Sequence, residues 1–337
     1  VLWFVYYKAI MPTNYEAAPT PRQYAEQVLA QSEDVLQEAI GIAFPEKPDL
    51  GPIQAFPKPN ELRAESPDIP ELNDERKATL LGKASELGFG KSESITLSEQ
   101  GLFGAIVILE GGQPHKILAE ARMVVEDKAA SPKSIIISAS PHRELKNAAE
   151  IASAERLFGH AGKTEYDVAL DVARALTGFS ELAEPKVLNV SYDVYNNFVT
   201  AQEPTGQFKI VGNIGEAPVI LMQINRHDYV DGAGKDKYDM QPGTADVIGI
   251  VDAITKADGD GLSQVVHVTS GTYRPSRTLG VALAGLQAER PVGIATYGND
   301  LLNEVKGDNA PAPISQLPGE LYEMAQQAIK LKEALTV

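Results

Sequence analysis

Ala105-Ile-Val-Ile-Leu109-Glu110-Gly-Gly112 is an unbroken apolar run that ends in small and polar residues, and a helical pattern through Ile117, Ala121, Val124 and Val125 follows it. The same unit returns at Ile135 to Ile137 with Ser138-Ala-Ser140, at Val219 to Met222, and at Val265 to Val268 with Thr269-Ser-Gly271. Runs this short, bounded by turn residues and alternating with helical patterns, read as strands buried on both faces of a parallel sheet. Further strands are expected over 187–190, 208–211 and 292–295. The expected class is therefore α/β, a Rossmann-like doubly wound, mostly parallel sheet with ligands at the carboxyl ends of its strands. Residues 193–215 break the rhythm and point to an antiparallel edge hairpin. Helical stretches are expected around Leu145, Ala149 and Ile151, and again from Val168 to Leu176.

Three segments are expected along the 337 residues. Residues 1–98 read as a helical, proline-rich appendage packed on the main domain. Thr20 caps a helix with Pro21 in its first turn, and that helix should stop before Pro45. Seven prolines between Pro45 and Pro70 deny regular hydrogen bonding, and a second helix is expected from Glu71 to Leu87, closed by Gly88 and Gly90. Residues 99–306 form the α/β ligand-binding core. Residues 307–337 are a linker and a closing helix with Leu321, Met324, Ala328, Leu331 and Leu335 on one face, packed on that core.

A formal net charge of -16 leaves no cationic excess for a phosphate backbone, so nucleic acid is excluded as a partner. The absence of cysteine removes disulfides, thiol nucleophiles and thiolate metal sites. Val1 to Ile10 resemble part of a membrane segment but are shorter than the ~20 apolar residues a spanning helix needs. Met11 is an alternative start. No membrane span is expected, and the default compartment is the cytoplasm.

Gly159-His-Ala-Gly-Lys-Thr164 has two residues between its glycines where a phosphate loop needs four, and it follows a helix. Thr164 and Asp167 instead read as a helix cap, although the acidic residues of Thr164-Glu-Tyr-Asp167 could also face a ligand. Gly111 and Gly112 let a ligand approach the backbone, or simply make a tight turn. Ser138, Ser140, His142 and Arg143 lie just past the second strand and suit an anion or a sugar hydroxyl. The carboxylates at 228, 231, 236 and 239 fail the calcium-loop pattern and read as a solvated lid hinged at Gly232 and Gly234. No metal site is expected.

The segment from His267 to Arg277 is the most specific. Thr269 and Ser270 sit at a strand end, and Arg274 and Arg277 begin the next helix, where cations oppose the helix dipole and favour an anionic companion. An acidic side chain of the protein would serve equally. At this point the chain resembles the family that includes YdcF, SanA and ElyC. The resemblance is carried by the glycines after Leu109, by Ser138-Ala-Ser140 with Glu150, by Thr244-Ala-Asp246, and by Val268-Thr-Ser270 with Tyr273-Arg-Pro275. It departs from that pattern at Ala139, Ser140 and Tyr273, and over residues 177–240, which read as an insertion. The resemblance implies a Rossmann-like ligand-binding domain linked to cell-envelope metabolism.

Function is thus expected to be binding of a small anionic or nucleotide-like molecule by Gly111, Gly112, Ser138, Ser140, Arg143, Thr269, Ser270, Tyr273, Arg274 and Arg277. The cofactor is open, and S-adenosylmethionine is one ligand of that kind. A hydrolase or transferase acting on a phosphorylated or glycosylated small molecule, with His142 or Glu150 as the acid or base, is the alternative. A non-catalytic interaction protein is the third reading. Oligomeric state is not legible.

Overall fold

A strand apolar on both faces requires a cover on each side, and the chain supplies helices in alternation with its strands. The computed structural model describes residues 19–43, 74–89, 94–110, 113–141, 143–145, 148–178, 186–188, 206–224, 227–230, 237–240, 244–257, 259–260, 263–271, 274–306 and 317–336. Its strands are β1 (Ile106–Leu109), β2 (Ser134–Ala139), β3 (Lys186–Leu188), β4 (Gly206–Ile214), β5 (Ala217–Ile224), β6 (His227–Val230), β7 (Lys237–Met240), β8 (Val265–Ser270) and β9 (Val292–Tyr297). Its helices are α1 (Pro21–Ala43), α2 (Asp74–Glu86), α3 (Pro114–Glu126), α4 (Ala148–Phe158), α5 (Glu165–Thr177), α6 (Thr244–Ala257), α7 (Arg274–Ala288), α8 (Asn299–Lys306) and α9 (Leu317–Thr336).

Seven strands make one sheet in the order β3-β4-β5-β2-β1-β8-β9. The β5-β2, β2-β1, β1-β8 and β8-β9 pairs are parallel, whereas β4 runs antiparallel to both β3 and β5. An α/β fold with a mostly parallel sheet is what the apolar runs imply. From β1 the chain steps outward to β2 on one side and later to β8 and β9 on the other. Strand order therefore reverses between β1 and β8, and at such a point the flanking loops part and leave a crevice.

Register sets what faces that crevice. Ile136, Ile108, His267 and Ile294 align in one row across β2, β1, β8 and β9. Two residues further along, the row is Ser138, Glu110 just past the last paired residue of β1, Thr269 and Thr296. Apart from His267, this face of the sheet thus turns from apolar to polar within a rise of roughly 7 Å.

On the other face, Val107, Leu109, Ile135, Ile137, Val266 and Val268 pack with Ile117 and Val124 of α3, Val168 and Val172 of α5, and Val305 of α8. On the polar-edged face, Ile106, Ile108, Ile136, Val265 and Ile294 meet Val247 and Val251 of α6 and Val281 and Ala284 of α7. Outside α7 lies a second helical layer. Leu279, Ala282 and Leu283 contact a cluster formed with Leu36 and Ile40 of α1, Leu80 of α2, and Leu321 and Met324 of α9. Helix α7 is buried all round over Leu279 to Gly285 because it is covered on two sides there. Burying a side chain of this size stabilises by roughly 1.5–3 kcal/mol. Leu36 and Ile40 are fully enclosed, so α1 is a docked element. Its start carries the expected cap: Gln23 N–H donates to Thr20 Oγ1 at 3.2 Å, and Thr20 N–H donates to the Gln23 side chain at 2.9 Å.

Two tight features join α7 to β9. A Cβ on Gly285 would stand 2.5 Å from Val292 Cγ2, so only glycine allows this approach. Arg290 is wholly buried, with its guanidinium donating to Asp252 Oδ1 at 3.0 Å, Ser263 O at 2.8 Å and Asp260 O at 3.0 Å, and also to Thr255 Oγ1.

Some expectations shift in detail. Leu145 precedes the helix that begins at Ala148, because its N–H donates to Lys163 O at 2.9 Å and the neighbouring Glu144 bridges to Thr164. The antiparallel edge is the β4-β5 pair with β3 outside it, turning at Gly215 and Glu216. Around the expected lid, β6 and β7 pair antiparallel, and residues 231–236, with both expected hinges, lie outside the described residues. Residues 1–18 do as well. No described helix is long and apolar enough to cross a membrane.

Candidate functional site

Strands β1, β2 and β8 and the helices beside them bring charged side chains into the crevice between β1 and β8. Glu110 leaves β1 with its backbone N–H donating to Glu120 Oε2 of α3 at 2.9 Å. Glu120 is itself buried, so one carboxylate fixes the backbone that carries the other. Glu110 Oε2 receives two side-chain hydrogen bonds, from His267 Nε2 at 2.7 Å and from Thr244 Oγ1 at 3.1 Å. Arg277 Nη1 donates in turn to Thr244 Oγ1 at 3.4 Å. Burial alone would raise the Glu110 carboxyl, but the His267 bond and charge, Arg277 and Thr244 together outweigh it and hold the group below its ordinary range. Glu110 is thus a fixed, ionised carboxylate. With Glu110 ionised, His267 Nε2 carries the proton of their bond, while His267 Nδ1 is buried with no hydrogen-bond partner among the described residues.

A second carboxylate has the opposite character. Ser140, just past β2, donates its backbone N–H to Glu165 Oε2 at 2.9 Å. Glu165 opens α5 directly after Thr164, whose hydroxyl accepts from Asp167 N–H while the Asp167 carboxylate accepts from Thr164 N–H. That capping box turns Asp167 back along the chain and leaves Glu165 aimed at the sheet. Burial raises the Glu165 carboxyl to about 7; the Ser140 N–H and Arg143 act the other way, and Glu110 and Glu150 reinforce the rise. Arg143 lies between two acids, with Nη2 2.8 Å from Glu150 Oε1 and Nη1 3.9 Å from Glu165 Oε1.

Helix α3 adds Lys116, whose ammonium burial pushes below its ordinary range despite Glu120 and Glu320, with Arg277 and Arg143 pushing the same way. Glu320 comes from α9 and accepts from Ser276 Oγ of α7 at 2.6 Å. The cluster therefore joins β1, β2, β8, α3, α4, α5, α6, α7 and α9. Glu120, Glu150 and Glu165 are buried at this sheet edge, with the half-buried cations Lys116, Arg143 and Arg277 beside them, and buried carboxylates of this kind are costly unless paired.

Among the residues expected from sequence, Ser138, Ser140, Thr269 and Ser270 are all buried at the carboxyl ends of parallel strands, so Ser138 and Ser270 share one sheet edge. Arg143, Glu150 and Arg277 enter the charged cluster. Arg274 is exposed at the start of α7, and its charge acts on Tyr24 of α1. Gly111, Gly112, His142 and Tyr273 lie outside the described residues. Glu110, Glu120, Thr244, His267, Lys116 and Glu320 were missing from the expected set, and Glu165 entered it only as one of the acidic residues around a cap that could also face a ligand. For Glu165 the only signal was a carboxylate directly after a cap, and for Glu110 an acid at a strand exit.

A groove of about 620 Å³ lies elsewhere, lined by Thr96, Glu99, Glu126, Asp127, Asp300 and Glu304 among others. Its acids are largely engaged: Arg122 pairs with Glu126 and Glu304, and Asp127 accepts from Ser98 N–H. Chemistry favours the crevice over this groove. Among the described residues no group of three His, Asp or Glu side chains is arranged to hold a metal ion. No protein-family model, curated protein or solved structure matches the chain.

Proposed function

We propose that this chain binds a small anionic or nucleotide-like ligand at the carboxyl ends of β1, β2 and β8. The observation that carries the reading is the gathering of Lys116, Arg143 and Arg277 with buried carboxylates at the point where strand order reverses. Arg143 and Arg277 hold the anion, and Ser138, Thr269 and the fixed Glu110 carboxylate take hydroxyl or amino groups of the same ligand. Kinship with the YdcF, SanA and ElyC family belongs to this proposal and ties the ligand to cell-envelope metabolism. Native mass spectrometry of the purified chain, followed by denaturing extraction, tests it. A phosphorylated or nucleotide-like molecule is expected, retained by the wild type and lost in Arg277→Ala. Empty extracts from both, with no binding of added nucleotides, refute it.

A second reading is favoured by the Glu110 and Glu165 pair, whose surroundings move their proton affinities in opposite directions. Such a pair suits hydrolysis or transfer on a phosphorylated or glycosylated small molecule, with Glu165 donating a proton and Glu110 accepting one. In this reading the acid is Glu165 rather than His142 or Glu150. Turnover in a hydrolase panel that disappears in both Glu165→Gln and Glu110→Gln would select it.

A further inference from the structure

Sheet register sets three polar side chains next to one another at the crevice. Ser138 of β2 and Thr269 of β8 flank Glu110, the residue just past β1, each one strand spacing of about 4.8 Å away. Residues in register across a sheet share a face, and Glu110 identifies it by bonding to His267, two residues before Thr269, and to Thr244 of α6. The Thr244 bond has a fixed direction, because Arg277 donates to the same hydroxyl and leaves its proton for the carboxylate. A carboxylate oxygen has about two lone-pair sites, so His267 and Thr244 complete Glu110 Oε2. Oε1 has no partner among the described residues, and the Glu110 side chain keeps 20% of its surface toward solvent. Ser138 and Thr269 are only 4% and 6% exposed, and neither hydroxyl has a hydrogen-bond partner among the described residues. Hydroxyls withdrawn from water without partners are costly, and here two of them stand on either side of an incomplete carboxylate.

The three groups together select a ligand chemistry. Ionised Glu110 only accepts hydrogen bonds, whereas Ser138 and Thr269 both donate and accept. A phosphate oxygen brings no proton for Glu110 Oε1, and an ammonium brings no lone pair for the hydroxyls. An ammonium would also add a cation beside Arg277, whose charge already acts on Glu110. A hydroxyl satisfies both kinds of partner. We propose that Glu110, Ser138 and Thr269 form a sugar subsite that takes a vicinal diol, one hydroxyl donating to Glu110 Oε1 and its neighbour exchanging a hydrogen bond with Ser138 or Thr269. This rests on the ligand-binding reading above and assigns the neutral, hydroxyl-bearing portion of that ligand, leaving the anion to the arginines. The same diol chemistry is offered by the ribose of a nucleotide and by a sugar phosphate. A ligand without those hydroxyls leaves Oε1 and both side-chain hydroxyls unfilled, so the row discriminates against it.

The probes are adenosine 5′-monophosphate, its 2′,3′-dideoxy counterpart and ribose 5-phosphate, titrated calorimetrically into the full chain. The wild type should bind the ribonucleotide at least roughly tenfold more tightly than the dideoxy compound, the scale of a hydrogen bond to a charged group. Ribose 5-phosphate separates the sources: affinity equal to the nucleotide's assigns the diol to a sugar phosphate, and markedly weaker binding assigns it to a nucleotide. If ribose 5-phosphate alone binds, 2-deoxyribose 5-phosphate replaces the dideoxy nucleotide in the comparison. Ser138→Ala and Thr269→Val should each lower ribonucleotide binding several-fold and narrow the preference for it, whereas a merely structural role would weaken both nucleotides alike. Equal binding of the hydroxylated and deoxygenated probes by the wild type, or a preference unchanged in both variants, overturns the subsite and leaves the anion reading standing. Saturable binding of none of the probes overturns both. The wild-type comparison needs no variant, so a substitution that fails to fold leaves the test intact.

Discussion

Replacing Glu165 with Gln should make the chain less sensitive to pH, and the size of the effect follows from the carboxyl's surroundings. In the folded chain it titrates at about 7 against an ordinary value near 4.5, because burial disfavours the ionised form. Below about pH 4.5 both folded and unfolded chains hold the proton, and the site contributes its full stability. As pH rises the unfolded chain releases its proton first while the folded chain keeps it, so stability declines until the folded carboxyl has also ionised, above about 7. A gap of about 2.5 at roughly 1.4 kcal/mol each gives a loss on the order of 3 kcal/mol. Most of it, about 2.5 kcal/mol, falls between pH 5 and pH 8. Urea unfolding of the wild type and Glu165→Gln at intervals across that range isolates the term, since other titrating groups are common to both. The wild type should lose its advantage steadily toward pH 8. A difference between the two chains that stays flat with pH would refute the reasoning.

Arg290→Ala should destabilise the fold by about 3–5 kcal/mol, because it strips a buried Asp252 and two carbonyl oxygens of their donor, and a urea midpoint unmoved from wild type would contradict this. Lys256 at 2.7 Å from Asp252 places the loss toward the lower end. Gly285→Ala should lose about 1–3 kcal/mol by crowding Val292, and adding Val292→Ala should recover part of that loss in a double-mutant cycle; strictly additive losses would show that the two do not touch.

The parallel strands were legible because each is buried on two faces, so that Ile106 to Leu109 and Ile135 to Ile137 leave no alternation to mistake for an amphipathic element. Leu145 misled for the opposite reason. Its spacing to Ala149 mimics one helical turn, yet its N–H bond to Lys163 O and the Glu165 N–H bond to Arg143 O beside it hold it in an extended bridge, and no local pattern announces that partner. The hydroxyl half of the crevice, Ser138, Ser140, Thr269 and Ser270, was visible because strand ends can be located from sequence. The acidic half was not. In a chain with 46 acidic residues, Glu120, Glu165 and Glu320 look like solvated helix faces. Only the packing of α3, α5 and α9 around one sheet edge turns them inward.

Glu320 also gives the crevice a dependence on the order of synthesis. Every other strand and helix that lines the site is made before residue 317, yet the partner of Ser276 and one of the charges acting on Lys116 arrive with α9. A nascent chain still missing that helix already carries every strand of the sheet, with Leu279, Ala282 and Leu283 of α7 lacking part of their cover. A translation product halted before α9 would therefore keep the architecture of the crevice without its full complement of charge, and ligand retention would distinguish finished chains from interrupted ones.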